Sequence, residues 1–147
     1  MKYKLNFELV PDGCWGSNLR NILSKKQWDF IRQIAKDNSE NKCAICGKNA
    51  KRLECHEVWD YDEINHIQKL KDVIAVCHDC HSVIHIGRTA MFGQDERAEK
   101  HYMKVNKCSY AEFRKKLGEA NEIHKRRNEI SDWALDVSFL KEFIGLD

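Results

Sequence analysis

Two Cys-x-x-Cys pairs, Cys43/Cys46 in "CAICGKNA" and Cys77/Cys80 in "VCHDCHSVIH", are separated by residues 47–76. Zinc takes four ligands in a tetrahedron with sulfur at about 2.3 Å, and each such turn aims two sulfurs at one point. Whatever lies between the pairs must therefore fold back on itself so that the turns meet. A closed set of four thiolates leaves no position for a substrate, so the expected Zn2+ is structural. The remaining thiols, Cys14, Cys55 and Cys108, have no partner pattern. The start, "MKYKLNFELVPDG", lacks the apolar block of a secretory signal, so a disulfide framework is not expected. Cys14 and Cys108 read as buried thiols.

The intervening segment supplies the fold-back. "KRLECHEVW" and "LKDVIAV" read as strands, with "DYDEINHIQK" as a loop between them. From Asp79 the spacing becomes helical to about Gly87. Upstream, "YKLNFELV" alternates Tyr3, Leu5, Phe7 and Leu9 with polar residues, which predicts a half-buried strand ended by Pro11 and Gly13. Ser24 with Gln27 forms a capping-box pattern, and Trp28, Ile31 and Ile34 share one face of a helix over 25–37. Downstream, "DERAEKHYMKVN" and "SYAEFRKKLGEANEIHKRR" predict two helices, the second with a stripe of Phe113, Leu117, Ala120 and Ile123. "WALDV" alternates again and is expected to pair with the N-terminal strand. Trp15, Trp28 and Trp133 are expected in the core, with Trp59 and Tyr61 capping it. His101 and His124 are expected to be structural.

A chain of 147 residues fits one domain, and 42% hydrophobic with 33% charged residues is a globular composition. No apolar run approaches the roughly 18 residues of a membrane span, so the expectation is a cytoplasmic protein with no membrane partner. Net charge is +2, too mild to argue nucleic acid from bulk charge. Cations do concentrate between Lys100 and Arg127, where a solvated helix face and a phosphate-facing one are equally good readings.

Helical geometry divides "VCHDCHSVIH" between two jobs. Neighbouring residues on a helix point about 100° apart, so if Cys80 reaches the zinc, His81 points elsewhere. His81 and His85 are four apart, share a face, and can chelate one metal, with His78 near the same face. Another histidine, His56, lies on the preceding strand.

This order of pair, strand with histidine, strand, then pair followed directly by His-x-x-x-His resembles the HNH endonuclease family, whose core is a ββα-metal finger. The flanks "CWGSN", Trp28, "HEVWDYD" and "HIG" resemble a subgroup of small bacterial and phage HNH proteins. On that match residues 1–147 form a single HNH-type domain, with a core at 43–88, an N-terminal extension at 1–42 and a C-terminal helical extension at 89–147. The resemblance implies an α+β fold: a ββα-metal core with a four-cysteine zinc site, flanked by an N-terminal strand and helix and by C-terminal helices. It also implies a divalent catalytic ion (Mg2+, Mn2+, Ni2+ or Zn2+) between hairpin and helix, acting as a Lewis acid on the scissile phosphate of DNA. A base beside the first ligand then activates water.

Carried over residue by residue, His81 and His85 match the helical metal positions and His56 matches the first ligand. The residue after that ligand is normally the histidine base, and here it is Glu57. A register slipped by one would instead make Cys55 the ligand and His56 the base. Arg88 is placed either for phosphate or for the helix C-terminus. Asp72 stands where the family has Asn, and Asn65 and His66 are candidates to replace it. The resemblance implies hydrolysis of DNA phosphodiester bonds, by cleavage or nicking, in a bacterial host cell. The alternative is a degenerate, non-catalytic HNH zinc module that binds nucleic acid or a protein partner, for example as a phage-encoded inhibitor, since Glu57 and Asp72 depart from the motif.

Overall fold

Local capping and turn chemistry sets most element boundaries in the computed structural model, which describes residues 4–145. Asn18 caps a short helix, α1 (Leu19–Ile22), by accepting from the Asn21 N–H. Ser24 and Gln27 then close the expected capping box at the start of α2 (Lys25–Asn38), which buries Trp28, Ile31 and Ala35. The first cysteine turn follows.

A hairpin of β1 (Glu54–Asp62) and β2 (Ile67–Val76) joins the cysteine pairs. Its strands are longer than the sequence suggests, and the loop shrinks to residues 63–66. Two causes are visible. Tyr61 and Gln68 are buried, with Gln68 Nε2 donating to the Ser17 carbonyl at 3.1 Å. Asp62 Oδ1 accepts from the Ile64 and Asn65 amides, making a tight Asx turn. A bulge between Val58 and Trp59 shifts the register.

Beyond β2 come α3 (His78–Ile84), α4 (Ile86–Met91), α5 (Asp95–Asn106) and α6 (Tyr110–Arg127). The single helix expected over 79–87 is broken at His85, whose φ and ψ are −100° and 51°. On an unbroken helix residues two apart diverge by about 200°. The break lets Ile84 and Ile86 both be buried. The stripe on α6 is buried at Phe113, while Ile123 is exposed; the second half of α6 meets the N-terminal segment and the hairpin, with His124 Nε2 at 3.1 Å from the Val10 carbonyl and Arg127 over the Tyr61 ring.

Strand β3 (Ala134–Asp136) runs parallel to β2 through Ile67–Lys69, giving the order β1-β2-β3. Its partner is thus β2 and not the N-terminal segment. That segment, described from residue 4, forms no strand; Tyr3 lies outside the described residues. Its backbone is satisfied elsewhere. The Leu5 N–H donates to Asn106 Oδ1 at 3.0 Å and Asn106 Nδ2 donates to the Leu5 carbonyl at 2.8 Å. The Glu8 N–H donates to the Ile84 carbonyl at 2.8 Å. Phe7 stacks on Tyr102 and meets Phe113 edge-on, which docks the segment on α5 and α6. Trp15 is 67% exposed, contrary to expectation; its ring N–H donates to the nearby Val10 carbonyl while the ring stays on the surface.

The architecture is α+β, with a three-stranded sheet and six α-helices among the described residues. None of these helices is long and apolar enough to cross a membrane. Asn106→Leu would leave the buried Leu5 N–H and C=O unpaired. Urea denaturation is expected to show a loss of about 2–4 kcal/mol against the parent chain.

Candidate metal centres

The four cysteines meet at one point. Gly47, at φ 77°, lets the first turn close, with its N–H donating to the Cys43 carbonyl at 2.9 Å. The Ala44 N–H donates to the Ala75 carbonyl and pins this turn to the end of β2. Cys77 is the N-cap of α3, its sulfur accepting from the Cys80 N–H. The four sulfurs all lie within 4.8 Å of one another. A tetrahedron with zinc–sulfur bonds of about 2.3 Å requires sulfurs about 3.8 Å apart, and Cys46 and Cys77 are 3.8 Å apart.

The charge state also suits a cation. The Cys80 thiol, donating to Cys43, holds Cys43 down to about 4, while burial pushes Cys77 up to about 11. Cys43 ionises readily while Cys77 and Cys80 resist, so bringing the whole set to thiolates calls for a positive ion. The set fits zinc. His101, expected to be merely structural, places Nε2 at 3.2 Å from the Cys80 sulfur and ties α5 to the cluster.

A second group forms on the other side of α3. His56, His81 and His85 each bring a ring nitrogen to within 4.8 Å of the other two. Their ring centroids are 4.9–5.5 Å apart. His56 is 5% exposed and lies on β1 opposite Ile74. His81 follows Cys80 around α3, and the His85 N–H still donates to the His81 carbonyl across the helix break.

Each ring has an oxygen acceptor. Glu54, two residues before His56 and so on the same strand face, accepts from His81 Nδ1 at 2.7 Å and from His78 Nδ1 at 2.8 Å. Glu8 Oε2 accepts from His56 Nε2 at 2.9 Å. The Glu8 backbone carbonyl is the acceptor for His85. With one nitrogen given to oxygen, each imidazole retains one more for an ion.

Burial dominates the titration here. It pushes His85 down to about 3, helped by the cationic forms of His81 and His56 and by Arg88. It also lowers His81, against the opposing pull of Glu54. Both rings therefore offer neutral nitrogens at neutral pH, the form that ligates metal.

The remaining expected residues separate. The bulge falls after Val58, so residues 54–58 alternate regularly and only His56 of "CHE" turns to the other histidines. Cys55, pushed up to about 12 by burial, and Glu57 occupy the opposite face. Glu57 Oε1 accepts from the Leu19 N–H at the start of α1 at 2.9 Å. Burial raises its carboxyl, partly offset by that donor and by the Trp59 side chain. Glu57, expected as the base, is thus held by α1, because a regular strand sends neighbours to opposite faces.

Asp72 is exposed, with Oδ1 accepting the amide of Val73. Asn65 and His66 sit in the hairpin loop, about 20 Å along the strand from His56, and cannot replace an Asn beside it. Asn65 completes the turn with Asp62, and His66 pairs with Asp132 at 2.7 Å. Arg88 is exposed on α4, close enough to His85 to lower its affinity for a proton.

Sequence reasoning missed Glu8, Glu54 and the His101 contact. Strand parity with His56 was an available signal for Glu54. For Glu8 there was none, since it lies 48 residues from His56 in the chain. No family model, curated protein or solved structure matches this chain.

Cys43→Ser is expected to lose a single tightly held zinc, detected by zinc release to a chromogenic chelator, and to destabilise the fold; Cys14→Ser should retain it. For the histidines the pH sign is set by their lowered affinity for protons. The unfolded chain takes up a proton at His85 near 6.5, whereas the folded chain resists until about 3. Stability from this group is complete above the unfolded value and is lost as pH falls through that window. The loss approaches about 1.4 kcal/mol per pH unit. Urea midpoints measured between about pH 7 and about pH 4 should fall less steeply for His85→Gln than for the parent chain.

Proposed function

We propose that this chain is a metal-dependent endonuclease of the HNH type, acting on DNA phosphodiester bonds. The observation that carries the reading is the convergence of His56, His81 and His85 between a hairpin and the helix that follows it. The hairpin–helix order, with a four-cysteine cluster at its base, is what the resemblance leads one to expect. On this reading the domain is built around residues 43–88, and residues 1–42 and 89–147 form its flanks.

The donor set suits a divalent ion: three imidazoles, mutually close, each oriented by an oxygen acceptor. When bound, such an ion supplies Lewis-acid charge toward a phosphate oxygen and makes a coordinated water more acidic. The protein's own part is orientation and exclusion. Glu54 and Glu8 fix the rings, and the burial of His56 keeps its side of the centre dry. Arg88, exposed beside His85, is placed to hold a phosphate of the substrate by charge-assisted hydrogen bonds.

The basic stretch is a weaker argument for DNA than its composition suggests. Arg126 and Arg127 are paired with Glu63, and Lys100 with Glu96.

A non-catalytic zinc module binding nucleic acid or a protein is the second reading. It draws on the engagement of Glu57 with α1 and on the exposed Asp72 in place of Asn. Supercoiled plasmid separates the two. With zinc-loaded protein and Mg2+, Mn2+ or Ni2+, the nuclease reading expects nicked or linear product, and a rate at least about 100-fold lower in His81→Ala. Folded protein that retards DNA but yields no product with any of these ions would favour the second reading.

A further inference from the structure

Among the described residues, Glu8 is the one carboxylate that reaches the three histidines from outside the hairpin–helix unit. Its segment is fixed on both sides. Leu5 is held by the paired hydrogen bonds to Asn106. Pro11 is fully buried, and the Glu8 N–H is bonded to Ile84, next to His85. The residue then touches two of the three rings at once, His56 through Oε2 and His85 through its carbonyl.

The other carboxylate oxygen, Oε1, is buried and has no hydrogen-bond partner. A buried, unpaired carboxylate oxygen is costly, and more so when ionised. Something other than the described protein atoms must satisfy it. Three imidazoles bring no negative charge to a divalent ion, so a carboxylate at this position is also the natural counter-charge for that ion.

We propose that Glu8 belongs to the ion-binding apparatus of the histidine centre, orienting His56 through Oε2 and offering Oε1 and its charge to a divalent cation. This rests on reading the histidines as an ion centre. In that centre Glu8 both orients His56 and faces the ion, the place that Glu57, held at α1, does not fill.

Glu8→Gln tests this cleanly. A glutamine oxygen can still accept from His56, so a purely structural role would survive the change, whereas the charge is lost. The measurement is a Co2+ titration of the full, zinc-loaded chain followed by visible absorption, with near-ultraviolet thiolate bands reporting any displacement of zinc. His81→Ala serves as the reference for loss of the centre.

The expected result is affinity for Co2+ about 10- to 100-fold weaker in Glu8→Gln, partial recovery in Glu8→Asp, and thermal stability of Glu8→Gln without added Co2+ no lower than the parent's. Affinity in Glu8→Gln within about threefold of the parent, with binding abolished in His81→Ala, would overturn the role of Glu8 and leave the ion centre standing. Co2+ binding unaffected by His81→Ala would overturn the ion centre and the role of Glu8 together. A Glu8-dependent affinity in a protein that cuts no DNA would uphold this inference and remove the nuclease reading.

Discussion

The meeting of four sulfurs is the constraint on which the rest of the molecule depends. It joins the turn after α2, the end of β2 and the first turn of α3 at one point, and His101 brings α5 to it. Without a cation the cluster would gather thiols that oppose one another's ionisation. With a divalent ion it becomes a covalent-strength clip in a region whose sheet has only three strands. The clip also sets rotation. Because Cys80 must face the sulfurs, His81 is carried about 100° round the helix toward β1. The cysteine cluster therefore aims the side chains of the histidine group.

The second centre shows how burial and hydrogen bonding divide the work. Burial keeps His81 and His85 neutral, which makes them ligands instead of cations that repel one another. Neutral rings still rotate, and here oxygen acceptors stop them. Glu54 binds His81 and His78 together, and despite its partial burial those two imidazoles hold its carboxyl below the ordinary range. Glu8 does the same for His56 from a segment with no ladder of its own. An extended strand satisfied by a sheet would have directed that backbone toward β-partners. Here it is free to contact Ile84 and the His85 ring.

What was legible in the sequence was local. The Cys-x-x-Cys pairs, the Ser24 cap and the His81–His85 spacing each involve residues within one or two turns, and the structure realises them. Alternation at Leu5 correctly marked burial but not pairing, because periodicity identifies a face without naming what covers it. The cover was a helix-borne Asn106, 101 residues away. The helix break at His85 was hidden for the opposite reason. Neither Pro nor Gly lies in "HSVIH" up to the break; the burial of both Ile84 and Ile86 accompanies it through tertiary packing.

The fate of "CHE" follows from a similar competition. Strand parity alone left open which of Cys55, His56 and Glu57 would face α3. Placing the bulge after Val58 keeps the alternation regular through that stretch and commits His56 inward. Glu57 is then available to the unpaired amide of Leu19, at a helix start that carries positive partial charge. A carboxylate is well used there, and α1 in turn helps cover the opposite face of β1. Among the described residues, two partly buried carboxylates thus reach this part of β1, Glu57 committed to a helix start and Glu8 to the histidines themselves. An ion held by the histidines would therefore face Glu8 and not Glu57.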